Sequence, residues 1–392
     1  MRALVLGQTG VEKKRYTDAL VLHAQQKQFV HPDESERYAR QFVQDYHIEE
    51  EIKAFTSTPT IQPFLDRLDA LGRRATWRQV VSERILGPLK HDPPENVLLS
   101  GHAFFYRNSH FFTPLDWKLL KSFGPTIVLT LIDDCYDVVA RINVIREKKG
   151  PTTQSKVNLA EALLWRSVEI SAADLIANSF DIPHYVLAVK HPIDTGYRLL
   201  FEPLLLRIYA SYPISSTRNS QSRIAEINEH RRVLHAKYTV FDPVCIDEYR
   251  AIPPKKKNGK WDHVPRWPLD PVMPAIATGK DHAPPVWRLM EKMESLIASQ
   301  IEERDYRMIN QADLVVAYRP FWGGREYPAQ GVEKEILHAI NTNKQVYYYD
   351  PPEDRKQRKK HAFQAIERGI RCKTKDDLYS QIDKAQSALS RP

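Results

Sequence analysis

The chain of 392 residues has a formal net charge of +8, with 42% hydrophobic and 27% charged residues. This composition is typical of a soluble globular protein, and the length predicts two domains with separate cores. The three cysteines lack metal-ligand spacing, which argues against a zinc site or a disulfide framework and favours a reducing, cytoplasmic setting. No apolar run is long enough to span a bilayer, and the first residues do not follow the plan of a signal peptide.

The first half of the chain alternates short apolar runs with helical patterns. Buried parallel strands are predicted in the segments RALVLG, ENVLLSGHAFF, PTIVLTLIDD and PHYVLAVKH. Helices are predicted in VEKKRYTDALVLHAQQ, across the polar residues 33–90, and in LAEALLWRSVEISAADLIANSF. One face of the last helix is expected to contain Leu159, Leu163, Ile170 and Leu175. The alternation predicts an α/β domain over residues 1–202, built on a doubly wound parallel sheet.

A second alternation of strands and helices begins at LLLRIYASYPIS. Further strands are predicted in YTVFDPV, DLVVAYRP and KQVYYYD, with helical patterns between them. Residues 250–285 are rich in proline and lysine and indicate an insertion of loops. The pattern predicts a second doubly wound parallel-sheet α/β domain over residues 203–392.

Basic residues are concentrated in the segments PPKKKNGK (253–260) and DRKQRKKH (354–361). A basic balance favours polyanions such as nucleic acid, or phosphorylated small molecules. Aromatic residues do not alternate with these charges as they do in a stacking groove, so nucleic acid is the less favoured partner. The expected ligand is a nucleoside or nucleotide, and no membrane partner is expected.

Three carboxylates lie in motifs around one predicted strand of the second half. Asp305 lies on the helix of IEERDYRMINQADLVVAY, Asp313 directly precedes the strand, and Glu335 lies on the helix of QGVEKEILHAINTNKQVYYYD. Ligands of open parallel sheets bind outside the carboxyl ends of the strands. Carboxylates suit cleavage at a sugar C1′, because one can attack C1′ while another protonates the leaving base. In the alternative interpretation, Asp313 caps an element and Glu335 is a solvated helix residue.

These motifs resemble those of the nucleoside 2-deoxyribosyltransferase family, including its hydrolytic branch, the 2′-deoxynucleoside 5′-phosphate N-hydrolases. RIYASYPIS is similar to the opening strand and turn of the family, and the resemblance covers about residues 204–350. It implies that Glu335 is the nucleophile, Asp305 assists it and Tyr209 orients it, while Asp313 holds the base or sugar hydroxyls. It also implies a Rossmann-like fold, cleavage without a cofactor, and a homo-oligomer, since family members often borrow an active-site residue from a neighbouring subunit.

The phosphate-binding turn departs from the family pattern Ser-x-Gly-x-Gly. In AQGVEKE, Gly331 is kept, but Ala329 replaces the serine and Glu333 replaces the second glycine. A negative charge beside a phosphate is unfavourable. Phosphate is therefore expected elsewhere, on donors of the segment SSTRNSQSR, namely Ser215, Ser216, Arg218 and Ser222. A nucleoside or NAD is the alternative substrate, and the aromatic residues that could stack on a base or simply pack are Trp261, Trp322 and Tyr327.

The amino-terminal segment VLGQTGVEKKRY is similar to a phosphate-binding loop between a strand and a helix. Gly7, Gly10 and Lys13 stand at suitable positions for backbone amides and a lysine to contact phosphates. Glu12 replaces the glycine before the lysine, and Lys14 stands where a hydroxyl would bind magnesium.

The segments SGHAFF, IDDCYDVVARI and LLWRSVEI extend this similarity, because they resemble parts of adenylate-kinase-like P-loop kinases. The resemblance implies that His102, Asp133, Arg141 and Arg166 are further residues of a nucleotide or phosphate site. ATP or another nucleotide is the expected ligand of this domain, and a need for Mg²⁺ is left open. Loss of the magnesium-binding hydroxyl favours a nucleotide-binding or regulatory domain over a working kinase.

Three functions fit these motifs. The preferred one is cleavage or transfer of the N-glycosidic bond of a nucleoside, a nucleotide or NAD, with Glu335 as the nucleophile and no metal at the site. The second is a module that senses a nucleotide without turnover, which Ala329 and Glu333 motivate. The third is a nucleotide kinase with an accessory domain, which the glycines and Lys13 motivate.

Overall fold

A computed structural model describes residues 1–28, 42–91, 94–107, 109–148, 156–218, 220–246, 248, 294–322, 327–352 and 368–389. These residues form two compact units, of which unit 1 ends at Ile193 and unit 2 begins at Asp194. The sequence placed this boundary a few residues later, between residues 202 and 203. The predicted insertion at 250–285, both lysine-rich segments and Trp261 lie outside the described residues.

Unit 1 is built on a parallel sheet whose strands are β1 (Arg2–Leu6), β2 (Val43–His47), β3 (Asn96–Ser100), β6 (Ile127–Ile132) and β7 (His184–Ala188). Their order is β2-β3-β1-β6-β7. A separate antiparallel hairpin is formed by β4 (Phe105–Arg107) and β5 (His110–Phe112). The strands β3 and β6 are buried along their whole length, as their continuous apolar sequences predict.

The strand β2 corrects the prediction of helix across residues 33–90. It pairs with β3 in parallel, with Val43 opposite Asn96 and His47 opposite Ser100. An edge strand has one neighbour, and only Val43 of this strand is fully buried. Because its sequence VQDYH is mostly polar, hydrophobic patterning does not reveal it.

Helices cover the sheet of unit 1 and include α1 (Lys13–Gln28), α2 (Ile48–Phe55), α3 (Gln62–Arg67), α4 (Ala70–Val80), α5 (Gly87–His91), α6 (Trp117–Phe123), α7 (Cys135–Lys148) and α8 (Leu159–Phe180). A π-helical segment, Val81–Leu86, joins α4 to α5. The helix α8 begins with a capping box, in which the Asn158 side chain and the Glu161 side chain each accept the other residue's backbone N–H.

The face of α8 that packs in the core differs in part from the predicted one. Leu159 and Leu163 are buried as expected, whereas Leu175 is 66% exposed. Alanines at positions 172, 173 and 177 and Ile176 occupy the buried face of the last turns. At about 100° per residue, Leu175 lies roughly 160° around the helix from Leu159 and so faces away from the buried side, which Ala173 and Ala177 continue.

Unit 2 has a second parallel sheet, with strands β8 (Arg207–Ser211), β9 (Thr239–Phe241), β10 (Leu314–Tyr318), β11 (Gln345–Tyr349) and β12 (Ile370–Cys372). Their order is β12-β11-β10-β8-β9. Its helices include α9 (Ile193–Phe201), α10 (Ile214–Thr217), α11 (Gln221–Lys237), α12 (Glu294–Gln311), α13 (Gln330–Asn341) and α14 (Lys375–Leu389). A short 3₁₀ turn, Pro243–Cys245, follows β9.

The prediction of two doubly wound parallel-sheet α/β domains is confirmed for the described residues. In unit 2 the chain runs from β8 to one edge of the sheet and then returns to the other side of β8 at β10. The loops that leave β8 and β10 therefore diverge at their carboxyl ends, where such sheets bind ligands. Within the part of the chain that the structure describes, no helix has both the length and the apolar character needed to cross a bilayer.

Candidate active site

A cavity of about 500 Å³ opens at the carboxyl ends of β8 and β10 in unit 2. Its walls are the loops after β8 and β9, one side of α12, and the first turns of α13. Six polar residues of its lining bear on the chemistry, namely Ser215, Ser216, Arg218, Arg304, Asp305 and Glu335. The cavity thus lies at the switch in strand order, where the topology places a binding site.

Two hydroxyl groups hold Glu335 at one side of this cavity. The Tyr209 hydroxyl donates a hydrogen bond of 3.0 Å to Oε1, and Ser211 Oγ donates one of 2.5 Å to Oε2. Tyr209 and Ser211 are two positions apart on β8, so their side chains leave the same face of the sheet. Burial holds the pKa of Tyr209 well above its usual range, so the hydroxyl keeps the proton that it donates.

Glu335 and Asp305 form an acid pair, a name used below for these two residues. Burial and the nearby charge of Asp305 raise the pKa of Glu335 to about 8, against the hydrogen bonds from Ser211 and Tyr209. Burial also raises the pKa of Asp305, and Arg304 opposes this rise. Two carboxyl groups that interact this strongly titrate as one unit, and the pair retains a proton at neutral pH.

Arg304 positions Asp305 from the preceding residue of α12. Its Nε and Nη2 donate to Asp305 Oδ1 at 3.0 and 2.7 Å, while Nη1 donates to the carbonyl of Ile246 at 2.9 Å. The same Nη1 lies 3.4 Å from a carboxylate oxygen of Glu248. The sequence motifs did not single out Arg304, which directly precedes Asp305 in ERDYR, or Ser211, which lies two residues after Tyr209 in YAS.

The predicted phosphate donors Ser215, Ser216 and Arg218 follow β8 and line the same cavity, as does Gly331 in the first turn of α13. Ala329, which precedes this helix, also lines the cavity and supplies no side-chain cap, so the amino end of the helix, where the dipole is positive, borders the cavity. A Cβ added at Gly331 would meet no atom within 4 Å, which leaves space there for a ligand.

Glu335, Asp305 and Tyr209 are thus brought together by β8, α12 and α13. The chain matches no protein-family model and no curated protein. The roles that the deoxyribosyltransferase resemblance implies for these residues therefore stay predictions. Glu335 and Asp305 line one cavity, and burial raises the pKa of both carboxyl groups, an arrangement that supports a site for acid–base or nucleophilic chemistry on its own.

The structure corrects the placement of Asp313. This residue precedes β10 and lies at the amino end of the strand, whereas the cavity lies at the carboxyl end. Its carboxylate accepts hydrogen bonds from the backbone and the guanidinium of Arg207, including one of 2.5 Å from Nη2 to Oδ1. Asp313 therefore fastens the starts of β10 and β8, and it does not contact a ligand in this cavity.

Trp322, Tyr327 and Ser222 also fall outside the lining of this cavity. Trp322 is 7% exposed and packs beneath the guanidinium of Arg319, 4.6 Å from its ring centroid. Tyr327 is 52% exposed. Ser222 lies on α11, with its hydroxyl 3.2 Å from that of Ser220. Base stacking by these side chains has no support from their positions.

In unit 1, a cavity of about 400 Å³ lies at the carboxyl ends of β1 and β3. Five residues predicted to bind nucleotide line it, namely Gly10, Lys13, Lys14, His102 and Arg141. The Lys13 ammonium donates to the carbonyl of Gly7 at 2.7 Å and lies 3.2 Å from both His102 ring nitrogens. Burial lowers the pKa of Lys13, and the His102 ring contacts Glu49 and Glu169.

The other predicted phosphate-binding cations of unit 1 also contact protein groups. Lys14 forms an ion pair of 2.8 Å with Asp18, and Arg141 donates to the Gly10 carbonyl and to Asp133. Because each of these cations already contacts a protein group, a triphosphate would have to displace that group in order to bind. The residues present therefore do not fit a Mg²⁺–ATP site well.

Three predicted residues of the nucleotide site do not line the 400 Å³ cavity. Arg166 is buried on α8 and Asp133 is buried after β6, with exposed fractions of 3% and 1%. Gly7 has a φ of 155°, and a Cβ there would lie 2.6 Å from the Leu131 carbonyl oxygen. The need for glycine at this position is thus steric, from the packing of the loop against β6.

Proposed function

We propose that unit 2 cleaves or transfers the N-glycosidic bond of a nucleoside, a nucleotide or NAD, with Glu335 as the nucleophile. The observation that carries the proposal is the acid pair itself. One carboxyl group is oriented by the hydroxyls of Tyr209 and Ser211, the second lines the same cavity, and the pKa of each is raised. Glycosidic cleavage needs a carboxylate at C1′ and a proton for the leaving group.

The proposed reaction has two steps. In the reactive form of the acid pair the proton is on Asp305 and Glu335 is ionised. The Glu335 carboxylate attacks C1′, the bond from C1′ to the base nitrogen breaks, and that nitrogen takes the proton from Asp305. The resulting glycosyl ester is then attacked by water, which gives hydrolysis, or by a second base, which gives transfer. The Asp305 carboxylate accepts the proton of the incoming group, so the pair returns to its starting charge.

The positive groups of the cavity favour a substrate with an anionic group. Arg218, the hydroxyls of Ser215 and Ser216, and the amino end of α13 line the same cavity as the acid pair. Guanidinium groups and helix amino termini both bind phosphate. A phosphorylated nucleoside is therefore the substrate that we expect to be cleaved fastest.

The test is chromatography of a mixed pool of nucleosides, deoxynucleoside mono- and triphosphates and NAD after incubation with the full-length protein. Wild type is expected to release a free base from one of them, and Glu335→Gln is expected to lose that activity by about 1000-fold. Glu333→Gln, on the same helix but outside the cavity lining, is the matched control and should keep it. Base release at the wild-type rate by Glu335→Gln would sink the proposal.

A second candidate, ligand sensing without turnover, is favoured by a different observation. Both oxygens of Glu335 accept hydrogen bonds from the protein, and its raised pKa keeps the group largely protonated at neutral pH. A carboxyl group in this state binds polar ligands but attacks C1′ poorly. Saturable binding of a nucleotide in calorimetry, with no product after long incubation, would select this function over catalysis.

A further inference from the structure

Three aspartates lie together at the end of the central strands of unit 1. Asp133 and Asp134 follow β6, and Asp137 lies in the first turn of α7. One oxygen from each lies within 4.8 Å of the others, a separation at which carboxylates could share a metal ion. We call these residues the aspartate cluster. Exposed fractions of at most 2% make their charges costly without a cation.

The ammonium of Lys190 occupies the centre of the aspartate cluster. Its Nζ lies 2.8 Å from Asp133 Oδ1, 2.6 Å from Asp134 Oδ2 and 2.7 Å from Asp137 Oδ2. An ammonium has three N–H donors, so each can be directed at a different carboxylate. Lys190 is itself only 6% exposed, which keeps water from competing for these contacts.

The fold explains why the lysine is found there. The strands β6 and β7 are parallel neighbours, with Ile132 opposite Ala188 at their last residues. Lys190 comes two residues after β7 ends, level with the aspartates that follow β6. Arg141, one turn further along α7, adds a second cation through an ion pair of 2.6 Å to Asp133 Oδ2.

We infer that Lys190 is a built-in counter-ion that takes the place of a divalent cation in the aspartate cluster of unit 1, so that this cluster binds neither Mg²⁺ nor Mn²⁺. A hard divalent ion would need the same carboxylate oxygens at about 2.0 to 2.6 Å. The Lys190 ammonium already contacts these carboxylate oxygens, and repulsion would prevent the ammonium and a divalent ion from occupying the cluster together. The inference concerns unit 1 and does not depend on the reaction proposed for unit 2.

The first measurement is titration of the wild-type full-length protein with Mn²⁺, followed by electron paramagnetic resonance. We expect wild type and Asp134→Asn to bind the same amount of Mn²⁺, because the aspartate cluster of wild type binds none. A signal that persists in Asp134→Asn belongs to another site, such as the surface group of Asp18, Asp45 and His47, and agrees with the inference. A wild-type signal that disappears in Asp134→Asn would overturn it, and this comparison needs no variant of Lys190.

The second measurement is thermal unfolding of Lys190→Met, which keeps the length of the side chain and removes its charge. The midpoint is expected to fall by about 10 °C without metal. Millimolar Mn²⁺ or Mg²⁺ is expected to restore at least half of this loss by binding the vacated carboxylates, and to leave wild type unchanged. Lys53→Met, which removes a partly exposed partner of Glu50, is the matched control and should respond to neither change.

Failure of either metal to restore Lys190→Met would contradict the inference, because the ammonium would then not stand where a cation binds.

Discussion

Unit 1 and unit 2 each hold carboxyl groups near the carboxyl ends of their parallel strands, buried in unit 1 and partly buried in unit 2, and the groups that neutralise them differ. The aspartate cluster of unit 1 contacts two cations, Lys190 and Arg141. The acid pair of unit 2 has Arg304 beside Asp305, whereas the hydrogen bonds to Glu335 among the described residues come from two hydroxyls. In unit 2 a proton therefore supplies part of the neutralisation that a second cation supplies in unit 1.

This difference separates a structural cluster from a reactive one. Carboxylates that are ion-paired with fixed cations are stabilised in the ionised form, so they exchange protons and attack ligands poorly. Carboxyl groups beside an open cavity can do both when burial raises their pKa values, as it does for Asp305 and for Glu335, whose pKa is about 8. The same residue types at the same edge of similar sheets thus serve stability in one unit and are suited to chemistry in the other.

Among the variants that test this difference between the units, Asp305→Asn is expected to have the largest effect on activity. Loss of the group that carries the proton is expected to lower kcat for base release by about 100- to 1000-fold. The matched control is Asp313→Asn, which changes the other aspartate of the same motif at the opposite end of β10. Steady-state kinetics of both variants are the measurement. Equal losses in the two would show that distance from the acid pair does not matter.

The pH dependence of wild-type kcat/KM is expected to show the next largest effect. The proposed reaction needs one proton in the acid pair, so activity should fall about tenfold per pH unit above the Glu335 pKa of about 8. Asp305→Asn removes the like charge, so its residual activity should instead rise with pH to a plateau. An alkaline limb that is identical in wild type and Asp305→Asn would contradict the shared proton.

The hydroxyl of Ser211 gives a finer version of this test. Its hydrogen bond stabilises the ionised form of Glu335, so Ser211→Ala is expected to move the alkaline limb to higher pH. A purely structural role for Ser211 would change the rate and leave the limb where it is.

The smallest expected effect is on stability. The pKa of Glu335 is raised in the folded protein from 4.5 to about 8, so the stability that its protonated form contributes is complete below 4.5 and is lost as pH rises through 8. Glu335→Gln cannot ionise and should unfold a few degrees higher than wild type at pH 9, with no gain at pH 5. Thermal unfolding at both values is the measurement, and a gain independent of pH would argue against burial of this charge.

The sequence allowed the prediction of both sheets because their central strands are continuous apolar runs, which only a buried parallel strand explains well. The resemblance to the deoxyribosyltransferases grouped Glu335, Asp305 and Tyr209, and in the structure Glu335 and Asp305 line one cavity while the Tyr209 hydroxyl donates to Glu335. It failed for Asp313, since a residue directly before a strand lies at the amino edge. Asp313 was grouped with Asp305 because both lie in the motif IEERDYRMINQADLVVAY, although they lie at different ends of the structure around β10.

Partners that are remote in sequence could not be predicted. Lys190 meets the aspartate cluster only because β7 lies beside β6, and sequence patterns do not give strand order. The hydrogen bond from Lys13 to the Gly7 carbonyl likewise depends on side-chain packing. It shows that a lysine in a phosphate-binding sequence pattern can contact the protein itself. Such contacts decide whether a charged residue is available for a ligand, and they follow from the fold.

The open space around Gly331 also makes this position suitable for an optical reporter. The three cysteines of the chain are all buried, so a thiol introduced as Gly331→Cys at the exposed start of α13 would be modified selectively under native conditions. Because an added Cβ meets no neighbouring atom, the attached dye should not disturb the helix. Changes in its emission would then record the filling of the cavity by unlabelled compounds, in real time and without any chemical turnover.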